Sequence, residues 1–164
     1  MTRQLILLRH AKSSWKDETL ADFDRPLSAR GVRDGAHFAP RLQDLLPRPD
    51  QVLCSPARRT RDTLAFLVPG LVDPRRTSFP PELYLADADR LLQRIGAVAP
   101  VAVLLVIAHN PGLTDLLNLL VDRAEDRIDN LPTFGAALLE SRDASGFAPG
   151  AVRRRMLLTP KSVN

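Results

Sequence analysis

Residues 101–107 read Val-Ala-Val-Leu-Leu-Val-Ile, an apolar run with no polar interruption. A strand with one face in water alternates polar and apolar side chains. A continuous run of branched residues suits a strand covered on both faces, which in practice means helices on two sides of a largely parallel sheet. The run is far short of the roughly 20 residues that cross a bilayer. The rest of the chain must therefore supply those helices.

It does so in alternation. An apolar run at Leu5 to Leu8 comes first. Ser28 can cap a helix whose apolar positions read Ala29, Val32, Ala36, Ala39, Leu42 and Leu46. A short strand follows at Gln51 to Cys54. Ser55-Pro56 then reads as an N-cap with proline at the first helical position, opening a helix with Leu64 and Leu67 inside. Pro80-Pro81 marks a loop, and Asp87 caps a helix carrying Leu91, Leu92, Ile95 and Val98. Asn110-Pro111 repeats the cap-plus-proline signal ahead of Leu113, Leu116, Leu117 and Leu120. Gly135 to Glu140 and Val152 to Leu158 read as an antiparallel pair. The pattern predicts an α/β fold: three layers, α/β/α, around a mostly parallel central sheet with an antiparallel C-terminal strand pair. No repeat or linker divides it, so one domain is expected over 1–164.

Composition narrows the class. At 45% hydrophobic and 26% charged, this is the make-up of a globular protein. The four-residue apolar stretch near the N-terminus ends in Arg9-His10, too early for a signal peptide. A lone cysteine, Cys54, forbids an internal disulfide, and a cytoplasmic location is expected. The pI of about 10.0 reflects only a +4 surplus, because 20 of the 23 basic residues are arginine. Arg153-Arg154-Arg155 is the nearest approach to a basic patch, and no nucleic-acid module accompanies it. Neither nucleic acid nor membrane is an expected partner.

Ligands of open α/β sheets bind beyond the carboxyl ends of the strands. Strand one ends in Arg9-His10. Strand two ends in Cys54-Ser55, with Arg58 and Arg59 just after. The long run ends in Ala108-His109-Asn110-Pro111. Two of three histidines thus share one sheet edge with arginines, while His37 sits mid-helix. Two guanidiniums match the −1.5 to −2 charge of a phosphate group and offer it paired hydrogen bonds. The same cations repel a metal, and no set of carboxylates converges, so neither metal nor cofactor is expected.

Known phosphate chemistries narrow further by spacing. The G-x-x-x-x-G-K-[ST] loop is absent. The C-x5-R count from Cys54 lands on Thr60, leaving Cys54 as a small core residue. Asp22-Phe23-Asp24-Arg25-Pro26 lacks the strand and threonine of an aspartyl phosphatase, and Asp24 reads as an ion-pair or turn residue. A histidine remains as the covalent nucleophile.

The blocks LILLRHAKSSW, DFDRPLSARG, SPARRTRDT, ELYLAD, VIAHNPGL and LLTPK span nearly the whole chain. Together they resemble the histidine phosphatase superfamily, with its phosphoglycerate-mutase-like fold, and within it the small phosphohistidine phosphatase (SixA-like) branch. The resemblance implies a metal-independent phosphatase in which His10 attacks phosphorus and Arg9, Arg59 and His109 hold the phosphoryl oxygens. It implies a general acid at Glu82, whose plain alternative is a solvated loop glutamate. Lys12, Ser13 and Asn110, with Ser14 and Trp15 nearby, are assigned to the phosphate rim; Trp15 could equally anchor the loop. Ala11 stands where many members have glycine. The chain has no room for the long insertions of the mutases. The expected substrate is a phosphorylated protein, dephosphorylated at phosphohistidine by a monomeric enzyme. A broad phosphomonoesterase acting on small phosphorylated substrates and a non-catalytic phosphate- or phosphoprotein-binding module are the alternatives.

Overall fold

The structure, a computed structural model, describes residues 2–144 and 146–163. Its centre is a six-stranded sheet in the order β3-β2-β4-β1-β5-β6. The strands β1 (Gln4–Arg9), β2 (Gln51–Cys54), β3 (Thr77–Ser78) and β4 (Val103–Ala108) run parallel. The strands β5 (Ala136–Ser141) and β6 (Val152–Leu158) continue the sheet antiparallel. The helices α1 (Ala29–Leu45) and α2 (Arg58–Ala65) cover one face, and α3 (Ala88–Gly96) and α4 (Gly112–Leu120) cover the other.

The two-residue period of a strand divides its side chains between these layers. Leu5 and Leu7 of β1 join Leu91, Ile95, Leu113 and Leu117 on the α3–α4 side. Ile6 and Leu8 meet Phe38, Leu42 and Leu64 on the α1–α2 side. Leu104 to Ile107 of β4 are fully buried, as the unbroken apolar run requires. Truncating any of these leucines to alanine would cost about 2–5 kcal/mol.

Helix α1 buries the second half of its expected apolar stripe, Ala39, Leu42 and Leu46, but not the first. Ala29, Val32 and Ala36 are exposed, and Gly31, Gly35 and Phe38 are buried in their place. Close approach decides the face. A Cβ at Gly31 would collide with the Lys12 carbonyl, and one at Gly35 with the Phe66 ring. Two caps form as expected: Ser28 Oγ accepts from Gly31 N at 3.1 Å, and Asp87 Oδ1 from Arg90 N at 2.9 Å. Ser55 does not cap α2, which starts later behind Ala57. Pro111 is the N-cap of α4, while Asn110 Oδ1 accepts from Thr114 N at 3.2 Å and Thr114 Oγ1 at 2.9 Å. The short β3 had no distinct sequence signal. Among the described residues no helix is long and apolar enough to cross a membrane.

Candidate active site

The parallel register sets Arg9 opposite Ala108 and Cys54 opposite Ile107, so β1, β4 and β2 end together. Past those ends lies a cavity of about 250 Å³ whose lining includes Arg9, His10, Arg59, His109, Lys12, Ser13 and Asn110. Asp22, Arg25, Trp15 and Leu85 complete much of the wall.

His10 is nearly buried, and its Nδ1 lies 2.7 Å from the Ala11 carbonyl oxygen. A carbonyl only accepts, so Nδ1 carries the hydrogen and Nε2 keeps its lone pair. Burial, reinforced by Arg59, Arg9 and Arg25 against the Ala11 hydrogen bond, pushes the His10 pKa down to about 4. The imidazole is neutral near pH 7. His109 stands 5.4 Å away, ring centre to ring centre. Burial first, then Arg59 and His10, lowers its pKa to about 3. Its Nε2 lies 2.7 Å from Ser55 Oγ.

The spacing Ser55, Arg59, Thr63 has a structural purpose. Ser55 positions His109. Thr63 accepts from Ala11 N at 2.9 Å and donates to Arg59 O at 2.7 Å, tying the exit of β1 to α2. Arg59, 3% exposed, sits between them.

Asp22, in a 3-10 turn (Asp22–Asp24), organises the guanidiniums. Its Oδ2 accepts from Arg59 Nη2 and its Oδ1 from Arg25 Nε, both at 3.1 Å. Its backbone carbonyl accepts from Arg59 Nη1 at 2.8 Å, and the Tyr84 hydroxyl donates to Oδ2. Burial would raise the carboxyl pKa, but the Tyr84 hydrogen bond and the two arginines hold it down at about 2. Asp22 is a fixed anion. Burial and Asp22 together raise the pKa of the Tyr84 phenol.

Arg25 also donates to Ser13 Oγ at 2.8 Å and lies 3.5 Å from the centre of the Trp15 ring. Trp15 is therefore a wall of the cavity, 68% exposed, rather than a core anchor. Asn110 Nδ2 donates to Leu131 O at 2.8 Å and to Asn130 Oδ1 at 3.0 Å. Leu85 and Phe134 adopt left-handed backbone at φ 53° and 56°. Such strain in bulky residues gathers at functional sites.

Arg9, Arg25 and Arg59 against Asp22 leave two positive charges, the complement of a phosphate dianion, and the exposed Lys12 at the rim adds a third. Arg9 Nε, Arg59 Nε and His109 Nδ1 are buried without a hydrogen-bond partner. Each orphan costs about 1–3 kcal/mol, a cost that folding alone would not select. Among the described residues no three His, Cys, Asp or Glu side chains gather as a metal site.

Glu82 is not brought to this cavity. Its Oε1 lies 3.3 Å from Arg94 Nε, and the side chain borders a separate pocket with Arg90, Gln93 and Arg94. The 3-10 turn Pro81–Leu83 that carries it buries Leu83 and turns Glu82 toward α3, which corrects its expected place beside the phosphate. Asp24 is an exposed turn residue. Cys54 is buried, its thiol pKa raised to about 12 by burial. Sequence reasoning missed Asp22, Arg25 and Tyr84. The charged DFDRP stretch is the signal for Asp22 and Arg25; Tyr84, in ELYLAD, has none that ties it to Asp22.

This geometry defines a phosphatase site built on histidine and arginine, and similarity to known proteins agrees. Residues 5–76 match the histidine phosphatase superfamily (branch 1). An uncharacterised protein of Mycobacterium tuberculosis is 37% identical over 140 residues, covering 80% of this chain and 85% of that one. An uncharacterised chloroplastic protein of Arabidopsis thaliana is 34% identical, covering 99% and 80%. The chain belongs to the histidine phosphatase superfamily. Within it the chain is SixA-like: proteins assigned as phosphohistidine phosphatase SixA from Agrobacterium tumefaciens and Nakamurella multipartitia superpose with TM-scores of 0.82 and 0.81. Their identities are 28% and 27%; coverage is 96% of this chain and 99% of that one for the first, 98% and 97% for the second.

Proposed function

We propose that this phosphatase removes phosphate from phosphohistidine on proteins. His10 Nε2 attacks phosphorus, and the bond from phosphorus to the substrate's ring nitrogen breaks. The reacting form of the substrate is the one protonated on the other ring nitrogen, so the departing imidazole keeps that proton and leaves neutral. Water then attacks the phosphohistidine formed on His10, the His10–phosphorus bond breaks, and phosphate leaves with the water's oxygen. Arg9, Arg59, Arg25 and His109 hold the phosphoryl oxygens as charge shifts, the main source of acceleration in such transfers.

One observation carries the choice of substrate. Asp22 is the one carboxylate among the described residues lining the cavity, and it is held ionised with a pKa of about 2. Expelling an alkoxide calls for a positioned acid, worth about 10²–10⁴ in rate. A phosphohistidine needs none. In this reading the chain is a single domain and a monomer working in the cytoplasm on a phosphoprotein, without metal or cofactor.

The test is a substrate panel on the purified enzyme: phosphohistidine-bearing protein, phosphoramidate and alkyl phosphate esters. Phosphorus–nitrogen bonds should be cleaved far faster. Preferential cleavage of alkyl esters would favour the general phosphomonoesterase, and binding without turnover a phosphate-binding module.

A further inference from the structure

A second cavity, of about 400 Å³, shares Arg9, Lys12 and Thr133 with the first. It is therefore the next space a bound substrate meets on leaving the phosphoryl site. One wall is the first turns of α1, with Arg30 and Asp34. Beside it lies the C-terminal 3-10 turn (Pro160–Val163), which packs against α1 and presents Lys161. That turn is fixed by its own hydrogen bonds. Thr159 N donates to Ser162 Oγ at 3.0 Å, and Ser162 N to Thr159 Oγ1 at 3.2 Å.

The groove's charge is one-sided. Arg9, Lys12, Arg30 and Lys161 face a single carboxylate, Asp34, and Asp34 already pairs with Arg30 at 3.7 Å. Lys12 and Lys161 are exposed, and their ammonium groups have no partner among the described residues. The phosphoryl site is built otherwise. Its Arg59 and Arg25 are buried and locked by Asp22, the arrangement for gripping one small dianion. Mobile, solvated ammonium groups on long stems suit carboxylates on a larger partner, which they steer and orient.

We infer that this groove is a specificity subsite for acidic side chains, aspartate or glutamate, flanking the phosphohistidine of a protein substrate. The inference rests on the phosphohistidine reading above and adds a sequence preference to it. Lys12 and Lys161 pair with the flanking carboxylates, while the phosphoryl group occupies the neighbouring cavity.

The test compares two phosphohistidine peptides, one flanked by glutamates and one by glutamines, with phosphoramidate as the substrate that cannot reach the groove. The wild-type enzyme should show a lower KM for the glutamate peptide, and the advantage should shrink with added salt. Lys161→Glu should raise the KM for the glutamate peptide by about tenfold, with little change for the glutamine peptide. Its phosphoramidate turnover should stay at the wild-type level, which also verifies folding. Equal KM values for the two peptides in wild type would overturn the subsite, as would equal effects of Lys161→Glu on both. A Lys161→Glu effect confined to a small bisphosphate would overturn it in favour of a second-phosphate site. If neither peptide nor phosphoramidate is cleaved while phosphate esters are, the phosphohistidine reading itself fails and the subsite with it.

Discussion

Arg59 and Asp22 are joined twice, guanidinium to carboxylate at 3.1 Å and guanidinium to backbone carbonyl at 2.8 Å. The pair fixes the guanidinium's plane and direction before any substrate arrives. Asp22→Asn should keep the fold and let Arg59 drift, and a misplacement near 1 Å costs about 10²-fold in kcat. The shape of the pH–rate profile separates positioning from proton donation. The variant should fall in rate at every pH with an unchanged profile. Loss of a high-pH limb would instead make Asp22 a donor.

His10 gives the profile its acid side. The attacking nitrogen must be bare, so activity should be present above a pKa of about 4 and disappear as pH falls through it. Stopped-flow hydrolysis of phosphoramidate, corrected for substrate ionisation, would show this. Stability follows the same group. A histidine that titrates near 6.5 unfolded and about 4 folded binds more protons in the unfolded chain between those values. Its contribution is complete above 6.5 and is lost as pH falls to 4, by roughly 3 kcal/mol. His109, at about 3, extends the loss to lower pH. Melting temperatures between pH 7 and 4 should fall less steeply for His10→Asn than for wild type. The same variant should have no turnover and form no acid-labile, base-stable phosphoenzyme.

Adjacent arginines on α2 should behave unequally. Arg59 is buried against Asp22, whereas Arg58 is half exposed and pairs with Asp62 at 3.6 Å. Arg59→Ala should lower kcat/KM by about 10²–10³, the usual loss of one charge-stabilising donor. Arg58→Ala should stay within about twofold, since an exposed i,i+4 pair contributes only ~0.3–0.5 kcal/mol. Similar losses from both would place the wrong arginine at the phosphate.

Glu82→Gln should change neither phosphoramidate nor alkyl ester hydrolysis, because the side chain faces Arg94 and not the phosphoryl cavity. Its thermal midpoint should move little, as befits a partly exposed pair. A selective loss of ester hydrolysis would bring Glu82 back as the acid.

Strand ends were legible in the sequence because burial on two faces leaves a continuous apolar run, and the residue after it must be the polar one. That logic placed Arg9, His10, Ser55 and His109 along one edge. Helix faces were less legible. In α1 Ala29, Val32 and Ala36 misled, because glycine sets the contact face by what it lacks. Asp22 was hidden for another reason. Its partners Arg25, Arg59 and Tyr84 lie up to 62 residues away, and only the folded chain converts that separation into contact.

The distance between His10 and His109 is inherited from backbone spacing. Their strands are hydrogen-bonded neighbours, and Arg9 is in register with Ala108. Strands pair at about 4.8 Å whatever their side chains. The loop bearing Trp15 and the turn bearing Lys161 lie outside that ladder. The loop bearing Trp15 also carries Asp22 and Arg25 and so belongs to the reaction. The turn bearing Lys161 does not, so exchanging that turn should redirect the enzyme among protein substrates without re-engineering the transfer step.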